Sequence, residues 1–127
     1  MAQTELIDQT FNGGTASILV NIASGATEVI NVSALANSTG ETAARVNITG
    51  IQWTSADGIT VTWEADTDET ALQLTGNGSF NNISLPYSTG TNATGDINLI
   101  AGSGVATAIV TLRKMTGFTE RTDYSNT

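Results

Sequence analysis

The sequence predicts an all-β protein, a single-domain antiparallel β-sandwich or jelly roll of about eight strands. Three observations lead there. No stretch longer than about ten residues keeps a helical apolar period, while runs alternating apolar and polar residues recur along the chain. Serine and threonine supply 32 of the 127 residues and glycine 13, with one proline, a mixture that favours short strands and tight turns. Turn clusters at Ser24-Gly25, Asn37-Ser38-Thr39-Gly40, Asp57-Gly58, Gly76-Asn77-Gly78, Ser88-Thr89-Gly90 and Gly102-Ser103-Gly104 divide the runs at the spacing of a sandwich or barrel.

In chain order the predicted strands cover 17–22, 27–35, 44–54, 59–65, 70–75, 79–85, 95–100 and 105–115. No linker or internal repeat divides them, so residues 1–127 form one domain, with polar arms at 1–14 and 115–127. Apolar residues make up 39% of the chain, enough to build a core. Ile51 and Trp53 share one face of the third strand, and Ile59, Val61 and Trp63 share one face of the fourth. A three-residue loop, Ala56-Asp57-Gly58, would pair Trp53 with Val61 and Ile51 with Trp63, with Gly58 at the left-handed position such a loop needs. A hairpin is therefore expected there. Earlier in the third strand the apolar phase changes, from Val46 and Ile48 to Ile51 and Trp53. A β-bulge at Gly50 would keep both halves on the core side. The last strand, Val105 to Leu112, carries apolar or small residues on both faces and is expected at the centre of a sheet, with another subunit as one source of outer cover. Phe118 and Tyr124 are the anchors expected in the C-terminal arm.

Composition excludes several function classes. The chain has no cysteine and no histidine. Disulfides, Cys/His zinc sites and the Ser-His-Asp and Cys-His catalytic arrangements are therefore impossible. Net charge is −8, from twelve acidic and four basic residues, which repels nucleic acid and anionic membranes. No apolar run reaches the roughly 18 residues of a membrane span. The segment Met1-Ala2-Gln3-Thr4-Glu5 has neither the basic nor the apolar region of a signal peptide, so synthesis in the cytoplasm is expected.

No residue is assigned as catalytic, cofactor-binding or metal-ligating, and each local candidate reads better as structure. Asp66-Thr67-Asp68-Glu69 offers oxygen ligands for calcium but lacks the spacing and glycine of an EF-hand loop, and reads as a solvated turn. Trp53, Trp63 and Tyr87 would make a sugar-stacking platform if exposed, but the shared face with Ile51 and Val61 places the tryptophans in the core. Gly102-Ser103-Gly104 lacks the Gly-Lys-Ser/Thr continuation of a phosphate loop and reads as a strand connection. Glu64 with Asp66 or Asp68 mimics a glycosidase pair, yet Glu64 is expected to face outward with no cleft around it. The Asn-X-Ser/Thr triplets at Asn31, Asn37, Asn47, Asn77, Asn82 and Asn92 read as a product of composition. Arg45, Arg113, Lys114 and Arg121 are the only cations, and Arg113 and Lys114 are expected to meet carboxylates of a neighbouring subunit.

The stretch Thr94-Gly95-Asp96-Ile97-Asn98-Leu99-Ile100-Ala101-Gly102-Ser103-Gly104-Val105-Ala106-Thr107-Ala108-Ile109-Val110-Thr111-Leu112-Arg113-Lys114, with the Thr/Ser/Asn/Gly richness and the missing cysteines, resembles small structural proteins of tailed bacteriophages, especially marine ones. The resemblance implies a virion protein without cofactor or enzymatic activity, a capsid decoration or cement protein. It implies a place on the outer surface of the head, where the major capsid protein and copies of the chain itself, often as trimers, would be the partners. Another virion role (tail, head fibre or adaptor) and a carbohydrate-binding module are the alternatives. The termini, 1–14 and 115–127, are the segments expected to make the interface.

Overall fold

The computed structural model describes residues 3–9, 13–35 and 44–118. Nine strands follow along the chain: β1 (Gln3–Asp8), β2 (Thr15–Ile22), β3 (Thr27–Ile30), β4 (Arg45–Ser55), β5 (Ile59–Trp63), β6 (Glu69–Leu74), β7 (Asn77–Phe80), β8 (Ile97–Ala101) and β9 (Ala106–Thr116). They form two antiparallel sheets, one in the order β1-β2-β9-β4-β7 and one in the order β3-β8-β5-β6.

The pairing follows a single rule. β2 pairs with β9, β3 with β8, β4 with β7 and β5 with β6. The last eight strands are thus one long hairpin, folded at the β5–β6 connection. Wrapping that hairpin brings β4 against β9 in one sheet and β5 against β8 in the other. Such a wrapped hairpin is a jelly roll, and the order is not immunoglobulin-like. β1 adds a ninth strand at the outer edge of β2.

Alternation along the strands builds the core. Ala16, Ile18, Val20 and Ile22 of β2 and Ala106, Ala108, Val110 and Leu112 of β9 are buried, while the residues between them are not. Ile59, Val61 and Trp63 of β5 and Ile97, Leu99 and Ala101 of β8 close the core from the other sheet. Each fully buried Val, Leu or Ile contributes roughly 1.5–3 kcal/mol. The expected bulge is present: register slips between Ile48 and Gly50, so that Ile48 sits beside Leu112 and Ile51 beside Val110. A side chain at Gly50 would lie 3.2 Å from the Phe80 carbonyl oxygen, which favours glycine at that step. β9 lies at the centre of the five-stranded sheet, as its two-sided apolar character predicted.

Three expectations need correction. β4 and β5 form no hairpin; residues 56–58 are an arch between the sheets. Trp53 sits beside Ala108 and Gly78, and Trp63 beside Ile97 and Glu69. Side chains facing each other across a sandwich core need the same apolar alternation as neighbours within one sheet, so the pattern could not separate the two. Gly58, at φ +85°, serves the arch as it would have served the hairpin. Residues 3–8 of the presumed N-terminal arm form β1. Predicted strand 27–35 stops at Ile30, and a 3₁₀ turn at Val32–Ala34 follows, with Val32 still buried. Of the C-terminal arm, β9 extends through Thr116 and Phe118 is buried as an anchor. Residues 119–127, with Arg121 and Tyr124, and the Asn37-Ser38-Thr39-Gly40 turn lie outside the described residues.

Candidate functional site

The outer face of the five-stranded sheet is a regular surface whose rows are fixed by register. One row runs Thr15, Arg113, Asn47; another Leu19, Ile109, Gln52, Ser79; another Asn21, Thr107, Thr54, Asn77. Ser17 and Thr111 are adjacent between the first two. These strands turn every second side chain inward, so the outward set is what the sequence offers at the alternate positions: hydroxyls, amides, two aliphatic residues and the guanidinium of Arg113. Some of the polar groups bond one another. Thr107 Oγ1 donates to Asn21 Oδ1 at 2.9 Å, and Thr54 Oγ1 to Asn77 Oδ1 at 2.5 Å. A shallow groove of about 440 Å³ runs between the last two rows, bounded by Gln52, Thr54, Asn77, Ser79, Thr107 and Ile109.

No carboxylate stands in these rows. Among the described residues, Glu5 and Asp8 lie on β1. Glu28, Asp57, Glu64, Asp66, Asp68, Glu69 and Asp96 lie on the four-stranded sheet or on segments flanking it. Among the described residues the negative charge is thus concentrated around one sheet and missing from the outward rows of the other.

The β1 edge is the second notable surface. Among the described residues β1 pairs with β2 alone, through a register slip between Glu5 and Ile7. Leu6 and Ile7 are each 50% exposed there, and Met115 near the end of β9 is also exposed. Beneath this edge Lys114, fully buried, points into the end of the core. Its Nζ is 2.5 Å from Asp8 Oδ1, donates to the Gln9 carbonyl and lies 4.7 Å from the centre of the Phe118 ring. One buried ammonium thus holds the N-terminal strand and the C-terminal segment at the same end of the molecule. The expectation that Lys114 meets a neighbouring subunit is corrected: its pair is within the chain. Arg45 likewise donates to the carbonyls of Ala44, Ala93 and Thr94. Arg113 is exposed in the outer rows.

The remaining sequence candidates do not converge. Trp63 is 4% exposed in the core. Trp53 is half-buried, donates from Nε1 to the Thr75 carbonyl at 3.1 Å and packs against Phe80 at 5.3 Å between ring centres. Tyr87 is half-buried on the β7–β8 segment, so the three rings share no stacking surface. Asp68 accepts from the Ala65 N–H and from Asn98 Nδ2, and Asp66 accepts from Asn92 Nδ2, so both are occupied in joining loops. No group of three or more acidic residues among those described is arranged to hold a metal ion. Glu64 is half-buried where its backbone bonds Asp96 and Thr94, with neither Asp66 nor Asp68 paired across a cleft.

Gly102-Ser103-Gly104 is a strand connection, as read, and it locks onto the β4–β5 arch. Asp57 accepts from the Ser103 N–H at 2.9 Å and from the Ser103 hydroxyl at 2.7 Å. These two bonds hold the Asp57 carboxyl below its ordinary value of 3.8. A side chain at Gly102 would fall 2.2 Å from the Asp57 carbonyl oxygen, so the contact requires glycine. Sequence reading missed β1 and its exposed Leu6-Ile7 pair. The signal available was that pair followed by Asn12-Gly13-Gly14, an apolar dipeptide ahead of a turn cluster.

Compared with known proteins, the chain matches no family model and no curated protein sequence.

Proposed function

We propose that this protein is a virion structural component: a decoration or cement protein that binds the outside of a tailed-phage head and stiffens the shell, by contact and without catalysis. The observation that carries this reading is the exposed apolar pair Leu6 and Ile7 on a sheet edge that no other described strand covers, at the end where both terminal segments are clamped by Lys114. A free edge can accept another strand through its backbone, and apolar side chains beside it add area to such a contact. The major shell protein is the proposed partner. Modest contacts repeated over a symmetric lattice add up to firm attachment. The wrapped two-sheet fold suits this role because it presents a rigid edge at little entropic cost on binding. The resemblance of residues 94–114 to phage structural proteins points the same way. A sugar-binding role has less to rest on, since the three aromatic rings share no surface.

The test is quantitative mass spectrometry of purified particles. A copy number near that of the shell protein, or a simple fraction of it, supports decoration. A few per cent assigns the chain to a tail or fibre, and absence from particles ends the virion reading. Attachment can be probed with Leu6→Asp/Ile7→Asp. Both positions are exposed, so the domain should fold with an unchanged circular dichroism spectrum and lose binding to bare heads. Deleting residues 1–14 is the poorer experiment, because it strips Lys114 of Asp8 and disturbs the fold itself.

A further inference from the structure

We infer that the outer face of the β2-β9-β4-β7 rows is a self-association surface, on which a second copy of this chain packs sheet to sheet about a two-fold axis. This goes beyond attachment to a shell and uses the face of the sheet rather than the backbone edge of β1, with Ile7, in register beside Ser17, on the border of that face.

The first argument is electrostatic. Two copies of a chain of net charge −8 repel one another in most orientations. Of the nine carboxylates on described residues, seven lie on or beside the four-stranded sheet and none in these outward rows. Packing outer face on outer face keeps the acidic sides of both copies turned away. A charged partner would find no field of opposite sign on this face. A second copy requires none.

The second argument is the chemistry of self-recognition. Across a two-fold axis each residue type meets a surface made of the same residue types. A carboxylate only accepts hydrogen bonds and an ammonium or guanidinium only donates, so faces built of either cannot satisfy themselves. Hydroxyls and amides do both. Gln52, Thr54, Asn77 and Ser79 are exposed groups of this amphoteric kind. The third argument is the layout. Leu19 and Ile109 are adjacent in register on β2 and β9, half-buried, with Ile7 beside Ser17 in the next row and polar residues on the β4 and β7 side: an apolar patch bordered by polar groups. Arg113, the one cation in these rows, stands four residues along β9 from Ile109, roughly 13 Å away at the rise of a strand. An axis through the centre and perpendicular to the strands places the two copies of Arg113 at opposite ends.

Sedimentation velocity of the purified full-length chain, from about 1 to 200 μM, tests this in a concentration range where a useful homodimer assembles. The expected result is a monomer–dimer equilibrium that tightens as salt is raised, because screening removes the net repulsion. Gln52→Glu with Asn21→Asp changes charge at exposed positions with almost no change of shape. This double variant should weaken dimerisation roughly tenfold or more, since the Gln52→Glu charges of the two copies meet at the axis row and Asn21→Asp adds to the repulsion across the face. Gln73→Glu, on the exposed surface of the other sheet, should leave it unchanged. Circular dichroism and melting of each variant confirm that the fold is kept. A wild-type chain that stays monomeric at the highest concentration overturns the inference, as does a dimer indifferent to the Gln52/Asn21 charges. Particle binding is measured separately with the Gln52/Asn21 variant, which leaves Leu6 and Ile7 in place, so the shell reading and this one can fail independently.

Discussion

Lys114 concentrates the energetics of the molecule's end in one side chain. A fully buried ammonium is tolerable because the Asp8 carboxylate, the Gln9 carbonyl and the Phe118 ring surround it. Removing the anion leaves the charge behind, whereas removing the charge leaves only an apolar stem. Asp8→Ala should therefore cost about 3–5 kcal/mol in urea unfolding, and Lys114→Met distinctly less. The ion-pair account is wrong if Lys114→Met proves the more damaging of the two. Asp57 makes a second single-residue prediction. Its folded pKa is depressed by the two bonds from Ser103, so its contribution to stability is present above the unfolded value and is lost as pH falls through the folded one. An NMR titration of the Ser103 amide should show a midpoint below 3.8. Asp57→Asn should abolish that transition, and a midpoint at or above the ordinary value would remove the clasp from the argument.

Among the elements, the β4–β5 arch decides the most. Trp63 is buried in the core and Trp53 packs half-buried against its edge, from different sheets, because β4 finds its neighbours in β9 and β7 and β5 finds its own in β8 and β6. In an NMR spectrum the Trp53 backbone should give cross-strand contacts to Ala108 and Gly78 and none to Val61. A Trp53–Val61 contact would restore the hairpin. Gly78 is part of this arrangement: a Cβ there would lie 2.8 Å from the Trp53 ring, closer than packed atoms approach. Gly78→Ala should cost about 1–3 kcal/mol and shift the tryptophan emission. β1 is the element whose status changed most, from polar arm to edge strand. Its bulge and its two acidic residues are the usual protections of an edge against uncontrolled pairing.

For the whole molecule, the nested pairing has a kinetic and a thermodynamic consequence. β2 and β9 lie at opposite ends of the wrapped hairpin yet pair over eight residues each. Long-range pairing of this kind folds slowly, in about milliseconds to seconds. Because β9 supplies the central strand of one sheet, a chain truncated after Gly104 leaves β2 and β4 without their shared neighbour. It should show no cooperative unfolding transition by circular dichroism, and a truncated chain that melts cooperatively would contradict the nested topology. The division of charge also belongs to this scale, since it exists only once the strands have been sorted into two sheets.

What the sequence determined by itself is the set of properties that depend on neighbours along the chain. The all-β class, the positions of most strands, the bulge at Gly50, the central place of β9 and the buried Trp63 all follow from alternation and turn chemistry, which act over a few residues, whereas Trp53, expected in the core, is only half-buried at its edge. The missing histidine and cysteine likewise closed off whole reaction classes before any fold was known. What only the tertiary structure decided is which strands meet. Alternation marks the buried face of a strand but carries no mark of its partner. The jelly-roll order, the arch at 56–58 and the Lys114–Asp8 pair between the two ends of the chain were therefore out of its reach. The same holds for the candidate surfaces. Leu19, Ile109, Gln52 and Ser79 are four unremarkable residues on four strands until pairing sets them in one row, and Leu6 and Ile7 become an exposed edge only because β2 takes β1 on one side and nothing described takes it on the other.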